Sequence, residues 1–518
     1  MNLLLTSTYT KLTNLVLPTS LVCSFLLILP GCGIPQLRSR DSLRDLPVSF
    51  NGEISADNSS QVGIEEFFED PILTSLMDEG LNGNLQLKVL AEDIQIANNE
   101  VLRRRGMYLP FVTLGGGASL TKYSANSVPG IDNLTDARLG GGGFPSPLPD
   151  FMAAANMSWQ IDIWRQLRNA RDAATLRWLG TCEGRNYVVT RLISEIAENY
   201  YSLLALDRRI ENLDTIIEIQ EQSLEFSKAR KAAARGTELA VQRFQAEVRK
   251  NQSEKLIIKQ DIIEVENRIN FLVGRFPEPV QRSTNFYDLN LHSLSLGAPA
   301  ELLQNRPDIR EAERILEASG LDIKVARANF YPRVNLTAGV GYDAFNTKYL
   351  IMTPESLIWN VAGDVVAPLI NKTAIKAEYM NANAKQLQAL YDYQRVVLNA
   401  FTEVINRVSK VQNYSKSIEI KKQQLKSLEA SVAAATNLFQ NARVEYMDVL
   451  FSQRDLVDAR MVLIETKKQQ LAAIANTYQA LGGGLVRFNS EPLPPISDQP
   501  NASPIQMLPS PEPVEAPQ

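Results

Sequence analysis

Apolar residues recur at spacings of three and four along unusually long stretches of the chain, which is the pattern of a coiled-coil seam. The seam of the first stretch, residues 185 to about 235, consists of Val189, Leu192, Ile196, Tyr200, Leu203, Leu206, Ile210, Leu213 and Ile217. A second helix is predicted to return over 237–273, and a second pair is predicted over 374–442 and 445–481. Helices of about 50 to 65 residues span roughly 75–100 Å. The pattern therefore predicts two very long helical hairpins.

Four shorter segments alternate between apolar residues and polar or small ones, which predicts β-strands with one apolar face. They cover residues 112–121, 155–163, 334–343 and 357–369, and we expect the first to pair with the second and the third with the fourth. Turn-rich loops at 124–149 and 345–354 join the partners. Trp159, Trp164 and Trp359 lie in or beside these strands and are candidates for aromatic residues at a membrane interface.

The chain contains the same order of elements twice. The motif YLPFVTL at 108–114 returns as FYPRVNL at 330–336, and Pro110 and Pro332 mark the switch from helix to strand in the two copies. The far ends of the two hairpins also match, as ARGTELAVQRFQAEV at 234–248 and ARVEYMDVLFSQRDL at 442–456. We predict a signal peptide at 1–31, a lipidated linker at 32–62, structural repeats at 63–285 and 286–489, and a Pro-rich disordered tail at 490–518.

The N-terminus is a targeting segment rather than part of the fold. Its apolar stretch at 15–30 contains two prolines and ends in LPGCG, which resembles a bacterial lipobox with Cys32 as the lipidated residue. The predicted consequences are export, cleavage before Cys32 and a lipid anchor in the outer membrane. An ordinary signal peptide with an accidental cysteine is the alternative.

Composition excludes several classes of function. The formal net charge is -5, which argues against a nucleic-acid-binding domain because such a domain needs a basic face. The single histidine, His292, cannot form a histidine metal cluster or a catalytic triad. The glycine run at 140–143 lacks the Lys-Ser/Thr of a phosphate loop. No nucleophile-base arrangement stands out, so we predict neither an enzyme nor a cofactor.

Four strands per chain cannot close a membrane barrel, because the smallest stable ones need about eight. Open strand edges are not tolerated in hydrocarbon, where unpaired backbone groups cost several kcal/mol each. Three copies would supply twelve strands and twelve long helices. The predicted fold class is mainly α with membrane β, in which three copies would form a 12-stranded β-barrel continuous with a 12-helix α-barrel.

Four motifs carry a family resemblance: LLQNRPDIREAE (302–313), VARANFYPRVNLTAGVGY (325–342), VEYMDVLFSQRDL (444–456) and YQALGGGL (478–485). Together with the lipobox and the two-half layout, the chain resembles the TolC-like outer-membrane efflux channels, in the lipoprotein branch that serves resistance-nodulation-division pumps. The resemblance covers residues 70–485. It implies a passive homotrimeric conduit in the outer membrane that docks on a periplasmic adaptor joined to an inner-membrane pump.

The resemblance also implies a periplasmic gate at the helical turns. The family often has the pattern D-V-L-D-A there, and this chain has DVLFS at 448–452, so Asp448 matches the first acid while Phe451 replaces the second. Ala240 stands at the matching position of the first hairpin. We therefore predict one ring of three Asp448 carboxylates, with Phe451 as an apolar constriction and Arg443 as a partner of a neighbouring hairpin. The alternatives are a solvated acid for Asp448, coiled-coil packing for Phe451 and a surface charge for Arg443.

Two other classes of function compete with the conduit. One is a lipid-anchored periplasmic coiled-coil scaffold without channel activity, and the paired alternating strands and the glycine stop at 482–484 argue against it. A hydrolase or other enzyme has almost no support. The exported substrate is not readable from these residues.

Overall fold

A computed structural model describes residues 34–39, 46–47, 49–50, 58–124, 126–128, 145–284, 286–287, 289, 294–368, 372–441 and 443–485. Cys32, His292, the glycine run at 140–143 and the predicted signal peptide and tail lie outside the described residues. The roles predicted for these residues remain predictions, and so do the predicted boundaries of the two structural repeats.

The first half of the chain folds into three helices, a strand pair and a long helical hairpin. Its elements are α1 (Ile64–Phe68), α2 (Pro71–Gly83), α3 (Leu85–Gly106), β1 (Phe111–Thr121), β2 (Leu148–Ile161), α4 (Gln166–Ala232) and α5 (Glu238–Val273). Pro71 occupies the first turn of α2, where its missing N–H costs nothing. The Asp70 carboxylate accepts hydrogen bonds from the backbone N–H groups of Ile72 at 3.0 Å and Leu73 at 3.3 Å, and so caps that helix.

The second half repeats this order. Its elements are α6 (Leu302–Asn305), α7 (Pro307–Ala328), β3 (Arg333–Ala344), β4 (Leu357–Val366), α8 (Thr373–Gln440) and α9 (Tyr446–Ala480). The outgoing helices α4 and α8 contain 67 and 68 residues, which corresponds to roughly 100 Å each. None of the helices in the described part of the chain combines the length and the apolar content that a membrane crossing needs.

The helix α4 begins at Gln166, well before the predicted start at residue 185. The buried residues of its first turns are Trp178 and four small ones, Ala173, Ala174, Gly180 and Cys182, so large apolar residues do not recur there at spacings of three and four. Cys182 is buried there, and burial raises the pKa of its thiol. A Cβ placed on Gly184 would lie 3.1 Å from a carboxylate oxygen of Glu311 in α7. A glycine at this position therefore lets α7 approach α4 closely.

The four strands form one antiparallel sheet in the order β1-β2-β3-β4. The predicted pairings of the first strand with the second and of the third with the fourth are thus present, and β2 also pairs with β3. The limits of β2 differ from the prediction, because it begins at Leu148 and ends at Ile161 rather than covering 155–163. Its first residues include Pro149 and Asp150, which interrupt the alternation that marks a strand.

The chain divides into two compact units. One contains the sheet and comprises the described residues up to and including Ser39 and those of Pro110–Gln166 and Ile323–Ala384. The other comprises the described parts of Arg40–Leu109, Leu167–Asp322 and Lys385–Gln518. Its largest core cluster includes the fully buried Phe67, Tyr200 and Tyr478. The Phe67 and Tyr478 rings are stacked with their centroids 4.1 Å apart, which ties α1 to the end of α9.

Candidate functional site

The sheet has one apolar face, and the strand register shows which residues form it. Residues directly opposite each other in an antiparallel sheet point to the same side. Two successive rows of this face are Val112, Met157, Ala338 and Val361, and Leu114, Ala155, Val340 and Trp359. Side chains on the edge strands of these rows, Leu114 at 86% and Trp359 at 74%, are exposed. A large exposed apolar face of this kind suits hydrocarbon rather than water.

The opposite face of the sheet is polar and lined with small residues. One of its rows consists of Thr113, Asn156, Gly339 and Asn360. A Cβ on Gly339 would lie 2.6 Å from the Asn360 amide oxygen and 2.8 Å from that of Asn156. The glycine therefore leaves room for two amide side chains beside each other on this face.

The three predicted interfacial tryptophans fall in two environments. Trp159 and Trp359 lie on the apolar face of the sheet. Trp164 follows β2, donates a hydrogen bond from its indole nitrogen to the Pro332 carbonyl oxygen at 2.8 Å, and stacks on Tyr331 with ring centroids 4.7 Å apart. The structure thus places Trp164, a predicted interfacial aromatic residue, in contact with Pro332, a predicted switch residue.

The two switch prolines each precede a strand by one residue. Pro110 lies before β1, which begins at Phe111, and Pro332 lies before β3, which begins at Arg333. A proline at the first position of a strand removes no hydrogen bond from the ladder, and it also pushes the preceding residue out of the helical conformation. Each proline therefore stands where a helix ends and a strand begins.

The first hairpin turns between α4 and α5. The backbone N–H of Arg235 donates to the Arg230 carbonyl at 2.9 Å, and Ala234 adopts a φ of 57°. The Thr237 hydroxyl then accepts a hydrogen bond from the Ala240 N–H at 3.3 Å and caps α5. Lys231 and Glu238 form an ion pair across the turn.

The second hairpin turns between α8 and α9 with the same type of closure. The N–H of Arg443 donates to the Leu438 carbonyl at 2.9 Å, which repeats the five-residue separation found in the first turn. The following cap position, Glu445, makes no side-chain hydrogen bond to the helix. The two turns are therefore repeats in structure, as their sequences are.

The predicted gate residues lie at this second turn. Asp448 is exposed in the first turn of α9, and Arg443 is exposed just before it. Among the described residues, no carboxylate lies within ion-pairing distance of Arg443. Phe451 is 46% exposed, one turn beyond Asp448 on the same face, and the Arg454 guanidinium lies 5.2 Å from its ring centroid. Asp448 and Phe451 thus share one accessible face at the tip.

A cluster of aromatic side chains joins the two hairpins near their turns, and the sequence did not reveal it. Phe439 packs edge-on against Phe226 at 5.5 Å between ring centroids and lies 6.5 Å from the fully buried Phe244. The Tyr446 ring lies 6.4 Å from Phe244, and the Arg230 guanidinium lies 5.0 Å from the Phe439 ring centroid. The sequence feature that could have predicted this cluster is the concentration of aromatic residues around both turns.

Buried polar side chains also connect the helices on the way to the turns. The Asn251 amide of α5 donates to the Gln220 oxygen of α4 at 2.9 Å, and both residues are buried. The Gln453 amide of α9 donates to the Ser223 hydroxyl at 3.4 Å. Buried polar pairs of this kind specify the register of a coiled coil at a cost in stability.

A buried arginine joins two of the four motifs that carried the family resemblance. Arg306 is 2% exposed and donates to both Asp308 carboxylate oxygens at 3.0 and 2.7 Å. It also donates to Glu403 of α8 at 2.9 Å and to the Ala480 carbonyl at the end of α9 at 2.8 Å. Next to it, Gly482 has a φ of 91°, which favours glycine. This cluster, Arg306 with its three partners, fixes the end of α9 to the start of α7.

Comparison with known proteins places the chain in a family. The family model described as "Outer membrane efflux protein" matches residues 76–275 and 298–483. The chain is 25% identical over 463 residues to the cation efflux system protein CusC of Escherichia coli K12, covering 88% of this chain and 97% of that protein. It is also 25% identical over 423 residues to the solvent efflux pump outer membrane protein SrpC of Pseudomonas putida, covering 81% and 87%.

Solved structures share the fold. A crystal structure of CusC superposes with a TM-score of 0.76 at 24% identity, over 87% of this chain and 99% of that chain. The open-state MtrE outer membrane channel of Neisseria gonorrhoeae gives a TM-score of 0.76 at 20% identity, over 87% and 98%. The predicted fold class of long helical hairpins with four strands per chain is confirmed. So is the predicted function as a channel component of outer-membrane efflux. The chain belongs to the outer membrane efflux protein family.

Proposed function

We propose that three copies of this chain form the conduit of a tripartite efflux system. The observation that carries the proposal is the sheet, with one apolar face and with β1 and β4 at its edges. Within the described ranges, each of these edge strands pairs on one side. In hydrocarbon, the backbone groups on the other side need partners. Three copies joined edge to edge supply them and close a 12-stranded barrel.

The conduit is passive and depends on partners for energy. We propose that the hairpin ends dock on a periplasmic adaptor protein, which joins the conduit to an inner-membrane pump of the resistance-nodulation-division class. A lipid on Cys32 anchors the chain to the outer membrane. Trp159, Trp164 and Trp359 lie at the membrane interfaces, and Pro110 and Pro332 mark the change from helical wall to β-barrel wall.

The gate lies at the second turn. Three copies of Asp448 form a ring of carboxylates that attracts cations, and three copies of Phe451 form an apolar constriction beside it. The exposure of both residues on one face supports this arrangement. Arg443 holds the closed ring through a carboxylate of a neighbouring copy.

Substrate choice belongs to the pump rather than to this chain. Relatives at the same 25% identity are named for cation efflux and for solvent efflux. The described residues contain no cluster of His, Cys, Asp and Glu suited to hold a metal ion. We therefore infer that the channel accepts what its pump delivers.

The test is single-channel recording of the full-length protein in planar bilayers, together with its mass by native mass spectrometry. We expect a trimer with small, cation-selective conductance that divalent cations block. In Asp448→Ala the block should weaken and the conductance should rise. Asp455→Ala is the matched control, because Asp455 is exposed on the same face of α9 two turns further from the tip.

The outcomes separate the conduit from the scaffold. A stable monomer without conductance would favour the lipid-anchored coiled-coil scaffold. A conducting trimer in which Asp448→Ala and Asp455→Ala behave alike would keep the conduit and remove the carboxylate ring. Phe451→Ala should increase conductance if the ring of Phe451 narrows the pore, and should leave it unchanged if Phe451 packs only against Arg454.

A further inference from the structure

Exposed basic side chains gather at one end of the sheet, where β2 ends, β3 begins and α8 starts. All belong to the compact unit that contains the sheet. They are Arg38, Arg165, Lys324, Arg327 and Lys376. Asp162, Asp364 and Glu378 accompany the cations at this end, whereas at the opposite end Lys122 and Lys348 are outnumbered by Asp150, Asp343 and Glu355. The basic end is the one from which the helices leave.

These five cations are not neutralised by ion pairs within the chain. Among the described residues, none of them has a carboxylate oxygen within 4.0 Å. Arg333 lies at the same end but on the polar face of the sheet, where it donates to the neutral Asn329 side chain at 2.8 Å. In the other compact unit, by contrast, Arg275 and Arg310 each lie 2.8 Å from a carboxylate. The positive charge at the base of the sheet is therefore available to an external anion.

Local packing fixes the level of these cations relative to the sheet. Phe330 and Tyr379 lie in one buried cluster that joins the end of α7 to the first turns of α8. Ile34 and Leu37 pack against the same cluster. The N–H of Arg38 donates to the Asn383 side-chain oxygen at 3.1 Å. The cations on these three segments are therefore held within a few helical turns of the strand ends.

The features expected of a membrane interface lie at this same end of the sheet. The apolar face of the sheet ends here, and Trp164 stacks on Tyr331 beside it. Along the sheet, the apolar face is followed by the aromatic pair and then by the unpaired cations. A membrane leaflet presents its acyl chains, its interface and its headgroups in the same order.

We propose that this end of the sheet binds anionic phospholipid headgroups of the inner leaflet of the outer membrane. The cations contact phosphates of lipids whose acyl chains lie along the apolar face. A soluble anion would meet the same charges but would gain nothing from the adjacent apolar surface. The site thus selects anionic over zwitterionic phospholipid and adds to the attachment that a lipid on Cys32 provides.

Native mass spectrometry of the full-length protein tests this. The protein is exchanged from detergent micelles containing equimolar phosphatidylglycerol and phosphatidylethanolamine, and the ratio of the two retained lipids is measured. We expect enrichment of phosphatidylglycerol that decreases with added salt. Each basic residue near a lipid surface changes affinity roughly fivefold, so the triple variant Arg165→Gln, Arg327→Gln, Lys376→Gln should lose most of the enrichment.

The matched control is the double variant Lys122→Gln, Lys348→Gln, which neutralises basic residues at the opposite end of the sheet. It should keep the enrichment of phosphatidylglycerol. Equal enrichment in the triple variant and the wild type would overturn the proposal. So would a triple variant with altered ion selectivity in neutral-lipid bilayers and unchanged lipid enrichment, because its cations would then line the conduit. If the triple variant does not assemble, the single variants Arg165→Gln and Lys376→Gln are measured, and partial losses in both are required.

Discussion

Replacing Arg306 by methionine tests whether the buried arginine cluster stabilises the junction between the last helix and the second repeat. The side chain is 2% exposed and makes two hydrogen bonds to Asp308, one to Glu403 and one to the Ala480 carbonyl. Methionine fills much of the volume but carries no charge. The substitution therefore leaves the Asp308 carboxylate, which is 19% exposed, without its cation, whereas Glu403 keeps its ion pair with Arg407.

The expected loss of stability comes from the polar groups that no longer have Arg306 as a partner. Removing one partner of a buried ion pair costs about 3–5 kcal/mol, because the other charge stays buried and uncompensated. The Ala480 carbonyl also loses a donor, and an unsatisfied buried acceptor costs about 1–3 kcal/mol. These contributions overlap, so we expect about 3–5 kcal/mol in total. Arg306→Lys should fall in between, because an ammonium group cannot make the two-pronged contact with Asp308.

The assay is urea unfolding in detergent micelles followed by tryptophan fluorescence, with hydrogen exchange at the C-terminal turn of α9. Arg314→Met is the control, because Arg314 lies on the same helix α7 and pairs at 3.0 Å with Glu317 at the surface. Surface pairs contribute less than about 1 kcal/mol. Equal losses for Arg306→Met and Arg314→Met, or unchanged exchange near Ala480, would refute the reasoning.

Three further substitutions test other parts of the molecule. Burial, with the negative charges of Asp308 and Glu183, raises the pKa of the Glu311 carboxyl, so the folded state disfavours its ionised form. Glu311→Gln should therefore stabilise the protein at neutral pH, and this gain should vanish as pH falls below about 4.3, where the unfolded chain is also protonated. A less stable variant in neutral urea melts would contradict this. Gly482→Ala would place a Cβ 2.5 Å from the Asn305 carbonyl oxygen, at a residue whose φ is 91°. It should lower the free energy of unfolding by about 1–3 kcal/mol, measured by thermal melts. Gly63→Ala is the control and should not destabilise the protein, because the space around Gly63 is open. Gln220→Leu alone should cost about 1–3 kcal/mol, whereas the double change with Asn251→Leu should be nearly neutral in a double-mutant cycle, and additive losses would show that the two amides are independent.

The regular parts of this fold could be predicted because they repeat a short period many times. Alternation identified all four strands, and three-four spacing identified both hairpins, since a long amphipathic element contains many independent instances of its own pattern. The first turns of α4 were not predicted because most of their buried residues are small, with Trp178 as the one large apolar side chain among them. A single large residue does not establish a spacing of three and four.

The site could be predicted only in part, because its contacts are distant in sequence. Asp448, Phe451 and Arg443 were identified from a local motif, and the structure places them together at one turn. The arginine cluster joins Arg306 to residues 97 and 174 positions away, and no period in the sequence relates them. The aromatic cluster at the turns depends on the mutual approach of two hairpins, which helix periodicity does not determine.

The two edges of the sheet have a consequence for the rate at which the channel forms. Within the described residues, β1 and β4 each have one edge without a partner strand, and a neighbouring copy can satisfy the backbone groups there in the membrane. A single chain therefore gains little by inserting alone, and productive insertion must wait for an encounter between copies. The rate of assembly should rise more steeply than linearly with the concentration of newly exported chains. A modest fall in expression would then remove a disproportionate share of working channels.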